Sequence, residues 1–442
     1  MDTESFGPEV MQDKAELIVD WLKQSCIAVQ HLEAGSGFSD LEPLKTLLRD
    51  IKVIGLGENT HGTREFCQLK HRLVEFLVVQ MGFTTLAIEG SFAGFQAIND
   101  YVLYGKGERA TVLTNQGYVV WDTDEIADMM DWMRDYNQSV PDKRKVKFCG
   151  VDLWGNEIGR QAVLAYLRQT DPDRLQATET LFELLAEAEA KWPRRVDDET
   201  KQTMVQALPQ LQDLIDYLME TKARPDSQAS GAELARALKY TLVMKQWLTV
   251  NAADLLPKAD MNVRSVHMAC NLIDLVEQAG PEDKFIIWQH NVHVSVGGLW
   301  EGEPNLGHTL REKYGRGYFV FGFEFGEGSF QSRTVLPDKH LGDLKEITLP
   351  APPSGSLPWY LSRTGMGVLI LSLSAPASQP AVERWLQAPQ TVHNIGWVYD
   401  ESGYDNKWSV AKKYDGLIYV DRTTATRPTV NALRTVARRE GL

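Results

Sequence analysis

Seven runs of consecutive rather than alternating apolar residues constrain this chain more than any other feature; they fall at 51–57, 84–90, 147–152, 284–290, 318–324, 367–372 and 415–420. A strand that is apolar at nearly every position needs cover on both faces, the condition of a parallel sheet between helical layers. The first two runs flank Phe66, Leu69, Leu73, Phe76 and Leu77, which recur at helical spacing. Strand, helix and strand then form a βαβ unit whose strands run parallel and end on one edge. The expected fold is therefore α/β, a mostly parallel central sheet flanked by helices. A helix is also expected over 8–31, and from 159 to 280 Leu181, Leu184, Leu185, Leu211, Leu214, Leu218, Leu234, Leu238 and Leu242 repeat at three- and four-residue steps. This predicts a large helical insertion, dividing the chain into 1–158 as the first part of the α/β core, 159–280 as the insertion and 281–442 as the second part. The Pro-rich stretches 349–358 and 375–380 read as surface loops.

Charge narrows the partners. A formal net charge of -14 argues against nucleic acid and anionic membranes, which both select clustered Lys and Arg. The start of the chain lacks a basic segment with an apolar core, and no stretch reaches the apolar length of a membrane span, so the protein is expected in the cytoplasm. Cys26, Cys67, Cys149 and Cys270 form no Cys-x-x-Cys pair. They are expected as reduced core residues rather than as a disulfide frame or a thiolate zinc site.

The polar residues at the strand ends carry the candidate chemistry. Gly57-Glu58-Asn59-Thr60-His61 breaks the first apolar run and puts a carboxylate and an imidazole in the turn before a helix, where open α/β sheets place their ligand crevice. Taken alone, the pair is equally a buried His with a carboxylate favouring the helix dipole. Glu89 follows Leu86-Ala87-Ile88 and belongs at the same edge, either as a functional acid or as a solvated strand end. His290 and His293, in Gln289-His290-Asn291-Val292-His293, place two imidazoles just past another strand; a group that switches charge near neutral pH suits function better than packing. Asp152 and Arg264 read singly as a cap or a surface ion pair, and Lys70 as a solvated lysine. Trp121, Trp154, Trp288 and Trp300 are candidates for an apolar cleft or for core. There is no Gly-x-Ser-x-Gly elbow, no His-Glu-x-x-His helix, and no phosphate or dinucleotide glycine loop, which leaves water activation by His and carboxylate, with or without metal.

At these same residues the chain resembles the erythromycin esterase family, in Gly57-Glu58-Asn59-Thr60-His61 with Glu65-Phe66, in Ile88-Glu89-Gly90 and in His290-Asn291-Val292-His293. The resemblance implies an α/β core with a helical portion forming one wall of a deep cleft, and hydrolysis of a macrolide lactone ester without a covalent serine intermediate, an activity of antibiotic resistance. It implies His61 as the general base, Glu58 and Glu89 as the acids that orient or stabilise imidazoles, and His290 and His293 as groups that steady an oxyanion or protonate the leaving alkoxide. Lys70, Trp121, Asp152 and Arg264 stand as substrate-binding candidates. The chain departs from the best-known macrolide esterases at Gly62, where they carry an aromatic residue, and at Lys70, where they carry Arg; Ser265 stands where the wider family tends to have Asp. No cofactor is expected and the partner is a small-molecule ester or macrolide. The alternatives are a metal-dependent hydrolase of another ester or amide, with imidazoles and carboxylates as ligands, and a protein that binds a ligand without turnover.

Overall fold

The computed structural model describes residues 8–191, 197–223, 231–253, 263–297, 304–335, 341–374, 377–401, 403 and 405–440. Its strands are β1 (Cys26–Ala28), β2 (Val53–Leu56), β3 (Thr85–Ser91), β4 (Lys147–Asp152), β5 (Phe285–Trp288), β6 (Tyr318–Val335), β7 (Leu341–Leu349), β8 (Val368–Ser372), β9 (Gln390–His393), β10 (Val398–Tyr399), β11 (Asp405–Trp408) and β12 (Gly416–Thr423). Ten of them form one sheet in the order β1-β8-β12-β6-β2-β5-β3-β4, with β7 and β10 added along β6. From β12 through β4 that path is parallel; β8, β1 and β7 pair antiparallel. The sheet is mostly parallel and flanked by helices, with a helical insertion, as the doubly apolar runs require.

Successive residues of each strand go to different cores. Ile54, Leu56, Leu86, Ile88, Ile286 and Trp288 pack with Phe66, Leu69 and Leu73 of the helix Arg64–Met81. Val53, Ala87, Phe285 and Ile287 pack with Met268, Ala269 and Leu272 of the helix Val263–Gln278. Both alternations are apolar because both faces are covered. The helices Glu157–Thr170, Pro172–Ala190, Asp198–Ala223 and Gly231–Asn251 enclose a third core of their own, with Leu181, Leu185, Leu211, Leu218, Leu234 and Trp247. The helix Val263–Gln278, also within the expected insertion, returns to the sheet.

Several expectations need correction. The first helix ends at Ser25, and Cys26–Ala28 becomes β1, because its short apolar run finds an open edge on β8. The run at 318–324 is only the first part of an 18-residue strand. Past Phe321, which pairs with Leu56 at the end of β2, β6 continues and pairs with β7 and β10. Leu357 and Pro358, placed in a surface loop, are buried in the helix Leu357–Ser362. Of the cysteines only Cys67 is buried and Cys270 is exposed; all four are free. Of the tryptophans, Trp154 follows the core alternative, partly buried against Trp247 of the helical core, and Trp300 and residues 375–376 lie outside the described residues. No helix among the described residues is long and apolar enough to cross a membrane.

Candidate active site

Because β2, β3, β4 and β5 are mutually parallel, the turns that follow them open on one edge. Leu56 pairs with Trp288 and Ile88 with Trp288, so the segments 57–61 and 289–293 leave the sheet at one level, and Glu89, one residue past Ile88 on β3, stands at that level too. The turn after β2 admits only glycine at two points. A Cβ on Gly57 would collide with the Asn291 side chain and the Phe321 carbonyl, and one on Gly62 with the backbone of Gln331 in the extension of β6. The small residue after His61 is thus dictated by a close strand.

Glu58 is the centre of one half of the site. Its Oε1 lies 2.5 Å from His61 Nδ1, and its Oε2 accepts from Lys70 Nζ at 2.5 Å and Trp288 Nε1 at 2.7 Å. Lys70, expected in solvent, is fully buried, its ammonium 4.4 Å from the Trp288 ring centroid and 4.8 Å from that of Phe323. A buried ammonium persists only with a counter-charge and a polarisable wall, and Glu58 and the two rings supply both. Burial pushes the Glu58 carboxyl up, but Lys70 and His61 together bring it below the usual carboxylate range. Burial likewise pushes the His61 imidazolium down, and the hydrogen bond and charge of Glu58 outweigh it, leaving His61 above its ordinary value. With Glu58 on Nδ1, the network assigns the Nδ1–H tautomer to neutral His61 and leaves Nε2 as a lone-pair acceptor.

The other half is built around Glu89, Asp152 and Arg264. Arg264 grips Asp152 with two bonds, Nε to Oδ1 at 3.0 Å and Nη2 to Oδ2 at 2.5 Å, and its Nη2 also reaches Glu89 Oε1 at 2.9 Å. Tyr118 adds an O–H donor to Asp152 Oδ2 at 2.9 Å. Glu89 Oε2 accepts the backbone N–H of His290 at 3.0 Å, and His293 Nε2 lies 3.4 Å from Glu89 Oε1. Burial raises the Glu89 carboxyl, but His293 and Arg264 hold it well below the usual range. Trp121, fully buried, donates Nε1–H to the Glu89 carbonyl at 2.7 Å and sets its ring edge-on to His61, centroids 5.3 Å apart.

The late histidines belong to the same assembly. His290 begins a short helix, Asn291–Val294, rather than a loop: its Nδ1 accepts from Val292 N at 3.4 Å and its Nε2 faces the Asn59 carbonyl at 3.3 Å. Burial, then the neighbouring His61 and His293, push it down to about 3, so it is a neutral imidazole at physiological pH. Its ring lies 5.6 Å from that of His61 and 6.5 Å from that of His293. His293 has Arg264 Nη1 at 3.2 Å from Nε2 and Ser265 Oγ at 3.0 Å from Nδ1. Ser265, His293 and Glu89 therefore stand in line as a serine, an imidazole and an acid. The serine is buried and its oxygen receives the Leu306 N–H at 2.9 Å, which suits holding the ring rather than attacking a substrate.

All nine candidates thus gather at one edge, with unequal access. Lys70, Trp121 and Asp152 are fully buried and reach a ligand only through the groups they hold; the Arg264 side chain, 26% exposed, has surface to offer. Among the described residues no three His, Cys, Asp or Glu side chains form a metal-holding group, the cations of Lys70 and Arg264 already engaging the carboxylates. Tyr118 and Asn59 were not singled out by sequence, since an irregular stretch and a turn position carry no periodic signal.

Comparison with known proteins bears on the fold and the family of the chain. The chain is 24% identical to erythromycin esterase type II of Escherichia coli over 377 residues, 78% of this chain and 86% of that protein. Among solved structures, a succinoglycan biosynthesis protein superposes with a TM-score of 0.78 at 23% identity, covering 96% of this chain and 100% of that one. A histidine-to-asparagine mutant of the erythromycin esterase EreC in its open conformation gives a TM-score of 0.66 at 16% identity, covering 89% and 96%. The family model for erythromycin esterase matches residues 78–423, from within the helix that carries Lys70 to the end of β12, and the chain belongs to the erythromycin esterase family.

Proposed function

We propose that this protein is a hydrolase that cleaves an ester or lactone with water activated at His61, and that its substrate is the macrolactone ester of a macrolide antibiotic such as erythromycin. The observation that carries the reaction is the Glu58–His61 pair, which fixes a raised-pKa imidazole with Nε2 unclaimed by any described hydrogen bond. Family membership and the likeness to erythromycin esterase type II support the macrolide. In this reading Nε2 takes a proton from water as its oxygen adds to the acyl carbon. In this reading the oxyanion that forms is stabilised by the Arg264 guanidinium, fixed by Asp152 and Glu89, with His293 beside it. Collapse breaks the acyl C–O bond, and the alkoxide leaves with the proton held by His61 or one from His293. Products are a carboxylate and an alcohol, and no cofactor is required.

Incubation of macrolides and simple esters in oxygen-18 water, read by mass spectrometry, tests this. Ring opening with one labelled carboxylate oxygen, undiminished by exhaustive chelation, is the expected result. Macrolides left intact while another ester opens would retire the antibiotic, and loss of activity on chelation restored by metal would retire the cofactor-free route.

The pH dependence provides a second check. A base raised above its ordinary 6.5 is protonated and idle below its folded pKa, so kcat/KM rises with pH through a midpoint above 6.5. Glu58→Gln removes the raising interaction and leaves the burial, and its midpoint falls. Lys70 opposes the His61 charge, so Lys70→Met moves the midpoint up. Shifts of equal sign in the two variants would contradict His61 as the titrating base.

A further inference from the structure

Behind the Glu58–His61 pair lies a second carboxylate and imidazole that the reaction does not use. Glu324, on β6, and His393, at the end of β9, are both buried. Glu324 Oε1 lies 2.8 Å from His393 Nδ1 and accepts the Phe325 N–H at 2.9 Å; Oε2 accepts the His393 N–H at 3.0 Å. The His393 ring stacks on Phe325, centroids 4.6 Å apart and planes 22° from parallel. Glu324 Oε1 also takes the side-chain amide of Asn59, Nδ2 to oxygen 2.6 Å, and Asn59 is the residue after Glu58.

The segment that begins at His393 then pairs with the catalytic turn itself. The Asn59 carbonyl accepts from Ile395 N and Gly396 N, each at 2.8 Å, and His61 N donates to the Gly396 carbonyl at 3.1 Å. Thr60 and Gly396 form a parallel bridge. Glu324 thus ties together β6, the start of this segment and the turn bearing both Glu58 and His61. Without it, the Asn59 amide and the His393 N–H would be buried donors lacking their acceptor, and the turn would lose its side-chain anchor.

We infer that Glu324 and His393 are positioning residues for the Glu58–His61 pair, acting through Asn59. The inference rests on the proposed role of His61 only where activity is read, since the geometry of the pair is measurable without substrate. The groups facing Glu324 are His393, Asp405, Tyr414 and Tyr419. Those facing His61 are Glu58, Glu89, Lys70 and His290. Glu324 and His61 share no direct contact in that set, so any effect of one on the other must pass through the turn.

The test is an NMR titration of histidine-labelled full-length protein, with the His61 signal assigned by its loss in His61→Asn, alongside kinetics. In Glu324→Gln the Glu58–His61 hydrogen bond loosens, the His61 midpoint falls, and kcat drops about 10- to 100-fold with KM little changed, as for a small misplacement of a reacting group. His393→Leu reproduces both changes, while His393→Asn, whose side chain keeps an N–H donor for Glu324, stays near native. If Glu324→Gln is insoluble, the two His393 variants carry the same contrast. A His61 midpoint and kcat unchanged in folded Glu324→Gln and His393→Leu would overturn the inference, even if stability fell. A shifted midpoint in a protein without esterase activity would uphold it and remove the hydrolase reading instead.

Discussion

Replacing His61 by alanine is expected to lower kcat by about a hundred- to ten-thousand-fold, the usual contribution of a positioned general base, while KM changes little. The variant should fold, because the buried Glu58 carboxylate keeps Lys70 at 2.5 Å and Trp288 Nε1 at 2.7 Å after the imidazole is gone. Steady-state hydrolysis of the ester found in the labelled-water panel, with near-ultraviolet circular dichroism as the check on folding, measures the effect. Activity within a few-fold of native in a folded variant would remove His61 from the reaction. A large rise in KM at unchanged kcat would assign it to binding. Glu58→Gln is the milder relative of this variant, since the imidazole stays but its tautomer and its raised pKa are no longer held.

Arg264→Met should have the largest effect on stability, a loss of about 3–5 kcal/mol, typical of a buried ion pair stripped of one partner. Among the described residues, Asp152, fully buried, would keep only Tyr118 O–H and the Leu153 N–H, and Glu89 would keep His293 and the His290 N–H. The pH dependence has a definite sign. The folded-state pKa of Glu89 lies well below its unfolded value of 4.5, so its contribution is present above that value and fades as the pH falls toward the folded pKa. Arg264 is one of its causes, and the difference between native and variant should therefore be widest near neutrality and shrink below about pH 4.5. Urea unfolding midpoints at neutral and acid pH measure this. Equal midpoints near neutrality would mean that the helix Val263–Gln278 does not hold this side of the site through Arg264.

The residues of the site are unequally legible in the sequence. Glu58, His61, Glu89, His290 and His293 all stand at the end of an apolar run or within a few residues past it, and a parallel sheet delivers such positions to one edge whatever the strand order. Lys70 and Asp152 read as solvent-facing because nothing local tells a buried ion from an exposed one. Lys70 sits on a helix whose apolar stripe is drawn by Phe66, Leu69 and Leu73, and only the arrival of Trp288 and Phe323 from strands remote in sequence turns its position into an enclosed one. Gly62 looked like a departure from an aromatic position, and the extension of β6 shows why it is glycine: the Gln331 backbone occupies the space of a side chain.

The amino-acid sequence by itself determined the doubly covered strands, the helical insertion and the delivery of acids and imidazoles to the strand ends, because periodicity and apolar continuity are local signals of which surfaces must be buried. Tertiary structure decided which charges compensate which. The partnership of Lys70 with Glu58, the bridge of Arg264 between Asp152 and Glu89, and the grip of Glu324 and His393 on Asn59 depend on strand order and register. A buried charge is stable only beside its counter-charge, and which residue fills that role is settled by three-dimensional proximity between segments whose separation along the chain carries no trace of it.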